Sequence, residues 1–264
     1  MRFLIAIVLF IVSCGPGEKD KSEHYYFKKT AHHPDIHWSY EGATGPEYWG
    51  KLSASYRLAD TGKKQSPVNI DTSKVVVDNL PELIFRYHSG ERPDFINNGH
   101  TLQHQQEQDG SEIEVAGKHY QLEQFHLHSP SEHTIDGKHF PIELHMVHKA
   151  KDGEVAVLAI FYKAGESSQA LNYIASAKLP DKKGNKSVMK QGIRLNDLVP
   201  TQPEYYTYSG SFTTPPCTEN VKWFVLKQEL EADEELLKNL AEILKHNNRP
   251  IQDLDGREIH GFGS

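Results

Sequence analysis

The sequence predicts a single, mainly β domain, and three observations point there. Short runs rich in aromatic and β-branched residues recur between turn signals at 82–88, 111–115, 120–128, 142–148, 155–162 and 221–226, the composition of strands. Helical character is confined to two stretches, a short one at 168–177 and one at 233–245 that puts Leu236, Leu237, Leu240, Ile243 and Leu244 on one stripe. No internal repeat and no second linker interrupts the chain from residue 35 to 264, so these elements belong to one domain.

Composition narrows the function classes. A net charge of -7 argues against a nucleic-acid partner, which needs a basic face. Cys14 and Cys217 are the two cysteines, too few for a disulfide-stapled scaffold. Sixteen histidines are a heavy load, yet surface histidines are common and the count decides little.

The N-terminus reads as a targeting segment. Arg2 supplies a positive charge, and residues 3–12 form an unbroken apolar run. That run is shorter than the ~20 residues a membrane span needs and suits the core of a secretory signal. Ile11-Val12-Ser13-Cys14 resembles the bacterial lipobox, in which the cysteine thiol takes a diacylglycerol and becomes the first residue after cleavage. The expectation is a signal peptide at 1–13, a lipidated Cys14 with a polar tether to residue 34, and a domain at 35–264. Export to the periplasm or cell surface follows, with a lipid anchor in a membrane. Gly15 after the cysteine, where Asp often marks inner-membrane retention, favours the outer membrane.

The chemistry concentrates in two runs. In Gln124-Phe125-His126-Leu127-His128, period two puts His126 and His128 on one face. Such a pair can grip a metal ion, but surface strands also carry pairs like it, so alone it leaves both readings open. In Glu143-Leu144-His145-Met146-Val147 the same period aligns Glu143, His145 and Val147. Three neutral imidazoles with an open fourth position make a catalytic zinc site. Gln124 and Glu143 each stand two residues before a histidine, where they can accept its other N–H and fix the tautomer.

These runs, with Ser131-Glu132-His133-Thr134, Ser211-Phe212-Thr213-Thr214-Pro215-Pro216, His37-Trp38-Ser39-Tyr40, Gln65-Ser66-Pro67-Val68-Asn69-Ile70, Asn97-Asn98-Gly99-His100 and Asn247-Asn248-Arg249-Pro250, resemble the signatures of the alpha-class carbonic anhydrases, in family order over about residues 36–262. The resemblance implies a large, twisted, mostly antiparallel central sheet with short peripheral helices. It implies one Zn²⁺ per chain on His126, His128 and His145, whose bound hydroxide attacks CO₂ to give bicarbonate and a proton. Thr213 would accept from that hydroxide and donate to Glu132. Thr214, Val147, Val157, Phe212 and Trp223 would line the substrate pocket, with Phe212 standing where leucine is common. His100 would shuttle the proton to solvent, since an ordinary histidine titrates near 6.5, with His104 or His119 as possible substitutes. Tyr40 and Asn98 would order the intervening water, and Gln103 stands where asparagine is common.

Two other classes compete. A catalytically silent carbonic-anhydrase-like binding module would be expected to lack zinc histidines, and this chain keeps all three with Glu132 and Thr213. A periplasmic zinc-binding lipoprotein would carry acidic or histidine-rich low-complexity loops, and none is present. Oligomeric state is left open. In secreted bacterial members of the family the cysteine at the place of Cys217 pairs with one at the place of Ala59. The resemblance therefore implies a free thiol here.

Overall fold

The computed structural model describes residues 36–262 apart from 92–93, 107–109, 167–170, 172–173, 175–178, 189–192 and 202. The expected signal, Cys14 and tether lie outside the described residues. So does most of the helix expected at 168–177, within which Leu171 and Ile174 are helical and buried. Residues from His37 onward make one compact unit.

Among the described residues, that unit is built on a 13-stranded sheet. Six strands position the site: β1 Leu102–Gln105, β2 Lys118–His128, β3 Ile142–Ala150, β4 Val155–Ala164, β5 Tyr205–Ser211 and β6 Glu219–Leu226. They lie in the order β1-β2-β3-β4-β6-β5. Most pairings are antiparallel, but β4 runs parallel to β6 and to Leu230–Ala232, and His260–Phe262 runs parallel to Val76–Asp78. The sheet is therefore mixed. Each of the six runs expected from composition is a strand, with ends shifted by at most two residues.

Both faces of the central strands are covered. Every residue of β3 except Lys149 is buried. One face carries Phe125, Leu127, Leu144, Met146, Leu158, Ile160 and Phe224 in the larger core. The helix Glu234–Leu244 covers it with Leu236, Leu237, Leu240 and Leu244. Asp233 caps that helix by accepting from the N–H groups of Glu235 and Leu236, and Lys245 ends it in the left-handed region at φ 56°. The opposite face carries a smaller apolar cluster around Trp223 and the histidines.

A bulge makes this division possible. In strict alternation Tyr120 and Leu122 would share the face of His126 and His128. The register slips between Val147 and His148, so that Val147 faces Gln124 but His148 faces Leu122. The slip turns Tyr120 and Leu122 into the larger core and leaves Gln124, His126 and His128 on the other side.

Candidate active site

His126 and His128 project from β2, and His145 from β3 directly opposite His126. Their ring centroids are 4.9, 5.2 and 4.6 Å apart, and one nitrogen from each lies within 4.8 Å of the other two. Hydrogen bonds fix which nitrogens these are. His126 Nδ1–H donates to Gln124 Oε1 at 2.8 Å, and His128 Nδ1–H donates to the Asn247 carbonyl at 2.7 Å. His145 Nε2–H donates to Glu143 Oε1 at 2.7 Å. Each acceptor is an oxygen, so the proton is on the bonded nitrogen, and lone pairs remain on His126 Nε2, His128 Nε2 and His145 Nδ1.

The burial of these groups agrees with metal binding. His128 Nε2 is a buried atom with no hydrogen-bond partner, which a native fold rarely tolerates without an ion or water to fill it. Burial, followed by repulsion from His128 and His145, holds the His126 imidazole well below the ordinary histidine range. Burial also lowers His128, although Glu132 opposes it. Both rings stay neutral, the state a metal requires. The donor set, three imidazole nitrogens with free lone pairs, fits zinc.

Glu143 anchors this arrangement. Its Oε1 accepts from His145 Nε2–H and from His133 Nδ1–H at 2.7 Å, and its Oε2 accepts from the backbone N–H groups of Glu132 and His133 at 2.7 and 2.8 Å. Burial works against the charge, but the adjacent His133 and His145 and these bonds hold the carboxyl well below the usual carboxylate range. With four N–H groups already on it, Glu143 is a hydrogen-bond hub rather than a ligand. Beyond it, His133 Nε2 accepts from Tyr208 O–H at 2.7 Å, and the Tyr208 oxygen meets Ser66 Oγ at 2.8 Å.

Glu132 is fully buried, with Oε1 accepting from the Arg249 N–H at 2.8 Å. Its Oε2 lies 3.6 Å from His128 Nε2 and 3.8 Å from His145 Nδ1. That oxygen has no hydrogen-bond partner, so the bond expected from the buried Thr213 is not made to it here. An apolar wall adjoins the histidines. Val147, Val157 and Trp223 stand in register across β3, β4 and β6, Trp223 lies 4.9 Å from the His145 ring, and Phe212 packs partly buried in the same cluster. Thr214 is half-buried, its carbonyl accepting from Cys217 N–H.

His100 sits elsewhere. Its ring stacks on Trp38 at 3.7 Å and 9°, beside a cavity of 410 Å³ that Tyr40 also lines and none of the three clustered histidines does. Burial, then the charges of Lys183 and His37, push His100 down to about 4. Asn98 is occupied with its own loop: Oδ1 accepts from the N–H groups of His100 and Thr101, and Nδ2 donates to Gln103 Oε1. It is thus a loop brace rather than a free water-orienting group. Gln103, one methylene longer than the common asparagine, supplies the reach. Tyr40 packs edge-on to Trp38 and Trp49. Burial, then the charges of Glu132 and Cys217, raise its hydroxyl well above the usual tyrosine value.

Residues 44–262 match the family model described as eukaryotic-type carbonic anhydrase. The chain belongs to the alpha-class carbonic anhydrases. It is 40% identical over 234 residues to the carbonic anhydrase of Neisseria gonorrhoeae, covering 88% of this chain and 91% of that protein. The alpha-carbonic anhydrase of Thermovibrio ammonificans, solved with the inhibitor sulfanilamide, superposes with a TM-score of 0.81 at 38% identity, over 85% of this chain and 99% of that one. A hyperthermostable carbonic anhydrase from a hydrothermal vent chimney superposes with a TM-score of 0.79 at 41% identity, over 86% of this chain and all of the other, 100%. The protein is therefore an enzyme of the carbonic anhydrase type, a family that hydrates CO₂ and depends on zinc.

Sequence reasoning missed several members of the site. Asn247 was recognised only as part of a motif. Its carbonyl holds His128, while its side chain bonds the carbonyls of His100 and Leu127 and the N–H of Ser129. Arg249, His133 and Tyr208 were likewise given no role. Their partners lie far away in sequence, and no spacing rule reaches them.

Proposed function

We propose that this chain is a zinc-dependent carbonic anhydrase that interconverts CO₂ and bicarbonate, with Zn²⁺ held by His126, His128 and His145. The observation that carries the reading is the convergence of three lone pairs whose tautomers are fixed by Gln124, Asn247 and Glu143. Bound zinc supplies a Lewis acid and a water acidified to about pKa 7. The chain's residues then divide the remaining work. Glu132 Oε2 is a buried acceptor without a partner in this structure; turned to accept the Thr213 O–H, as the family resemblance implies, it would leave the Thr213 oxygen a lone pair for the reacting centre and so orient the nucleophile. Val147, Val157, Phe212 and Trp223 offer CO₂ an apolar surface, with Thr214 beside it. His100, with Tyr40 nearby, passes the proton to solvent.

The same proposal includes export and attachment to a membrane through a lipid on Cys14, which labelled palmitate should mark in wild type and not in Cys14→Ser. The test of the chemistry is stopped-flow CO₂ hydration by zinc-loaded and chelator-stripped protein, with a sulfonamide control. Activity should follow zinc and be abolished by the sulfonamide. Zinc-loaded protein no faster than buffer would instead establish a silent binding module.

A further inference from the structure

Behind Glu143 the polar side chains of His133, Tyr208, Ser66 and Ser211 are all buried, and their protons can be placed one by one. Glu143 is held as a carboxylate, so its Oε1 only accepts, and His133 Nδ1 carries the proton between them. At the far end, Ser66 N–H donates to Ser211 Oγ and Ser211 N–H donates to Ser66 Oγ, both at 3.0 Å. Ser211 O–H donates to the Phe212 carbonyl at 2.8 Å. Between these ends, the Tyr208 oxygen lies 2.7 Å from His133 Nε2 and 2.8 Å from Ser66 Oγ.

Two directions are conceivable for this middle stretch. In one, Ser66 O–H donates to Tyr208, and Tyr208 O–H donates to His133 Nε2. In the other, a doubly protonated His133 donates to Tyr208 and Tyr208 donates to Ser66. The Ser66 proton then has no acceptor, because the other partner of Ser66 Oγ among the described residues is the Ser211 N–H. Stranding a buried donor is costly, so the first direction holds. The Tyr208 ring is confined as well. Trp223 lies parallel to it at 6.3 Å and 8°, and the Arg257 guanidinium stands 5.6 Å from its centre, fixed by the carbonyls of Gln65, Ser209, Asp253 and Leu254.

We propose that Tyr208 is a positioning residue for the metal centre. Its O–H pins His133 Nε2, so that His133 clamps Glu143 with both its Nδ1–H and its main-chain N–H, and Glu143 holds the His145 ring with Nδ1 free. Without the hydroxyl, the His133 ring keeps a single bond to Glu143 and can pivot. Glu143 Oε1 is shared by His133 and His145, so the pivot reaches His145. This rests on the reading of His145 as a zinc ligand.

The experiment compares Tyr208→Phe with Ser66→Ala. Each deletes one hydroxyl of the buried chain and should cost stability, read by urea unfolding. Only Tyr208→Phe removes the donor to His133. Zinc release into excess chelator should be about 3–10-fold faster in Tyr208→Phe, less than the loss typical of a group bonded directly to a ligand, and close to wild type in Ser66→Ala. Long-range ¹H–¹⁵N NMR of histidine-labelled wild type should show His133 protonated at Nδ1 alone, and in Tyr208→Phe that N–H should exchange faster with water. Unchanged zinc release in Tyr208→Phe, or equal acceleration in both variants in step with lost stability, would overturn the proposal. So would a wild-type His133 protonated at Nε2, whether or not either variant folds. Wild type whose His145 ¹⁵N signals do not respond to zinc would instead overturn the ligand reading beneath it.

Discussion

Glu143→Gln is a nearly isosteric change with a large expected effect. The carboxylate accepts four N–H bonds, two on each oxygen, from His133, His145 and two backbone amides. A glutamine has one oxygen and one NH₂ in the same place. Whichever way it turns, the NH₂ meets two N–H donors, so two bonds are lost and two buried donors are stranded. At about 1.5–3 kcal/mol for each bond to a charged group, the loss of two is about 3–6 kcal/mol, which brackets the ~3–5 kcal/mol seen when one partner of a buried charged network is removed. For a domain of this size that is a fall in Tm of about 10 °C. The metal should feel it too. If the NH₂ faces the imidazoles, His145 loses the acceptor that leaves its Nδ1 lone pair free, and zinc affinity should fall by about 10–100-fold. If it faces the backbone, the stability loss remains and affinity changes less. Urea unfolding of the metal-free protein and zinc competition against a chelator separate the two. A variant with wild-type stability and wild-type affinity would refute the hub assigned to Glu143.

Three further outcomes are expected. His128→Ala should abolish tight zinc binding and activity together, read by metal analysis and stopped-flow hydration; full activity in a stably metal-free variant would exclude the mechanism. His100→Ala should lower kcat in weak buffer, leave kcat/KM for CO₂ nearly intact, and be rescued by added imidazole. The described Cys217 is buried and unpaired, and burial pushes its thiol up to about 11. It should therefore resist thiol reagents at pH 8 until the protein is unfolded. Because the unfolded thiol ionises near 8.5 and the folded one does so later, the associated stability is present below that pH and declines as pH rises toward the folded value, which denaturant titrations at pH 8 and 10 should detect.

Much of this site was legible because its histidines lie on strands, whose side chains alternate with period two. Gln124, His126 and His128 share a face by spacing alone, as do Glu143, His145 and Val147, and adjacent strands need only the right register to bring the two sets together. The limits of legibility have physical causes. The alternation that placed the histidines would also have placed Tyr120 and Leu122 beside them, and only the bulge prevents it. Strand β5 lies outside the runs expected from composition, and Gly210 within it is a residue that ordinarily weakens a strand. Gly210 is there for another reason: a Cβ at this position would lie 2.1 Å from Ser66 Oγ, in the bonded layer that joins Ser66, Tyr208 and His133.

The unreadable contacts share one feature, which bears on how the site is held. His128 meets Asn247 across 119 positions, Ser66 meets Tyr208 across 142, and Glu132 meets Arg249 across 117. The metal-facing atoms come from two neighbouring strands, and Gln124 and Glu143 orient two of the rings from those same strands, whereas His128 is oriented by Asn247 from the C-terminal segment. Asn247 shows why this matters. One residue donates to the His100 and Leu127 carbonyls, accepts from Ser129 N–H and receives the His128 imidazole N–H. Its bonds therefore join the loop of the proposed proton carrier to the strand of the proposed ligand. A shift of the C-terminal segment by about an ångström would loosen His128 and move the His100 loop together. The placing of Asn247 is thus part of the geometry of the proposed site, because such sites tolerate only about 0.5 Å of error. The local histidine motifs fix the outer bonds of His126 and His145, but they cannot by themselves fix that of His128 or the position of the His100 loop.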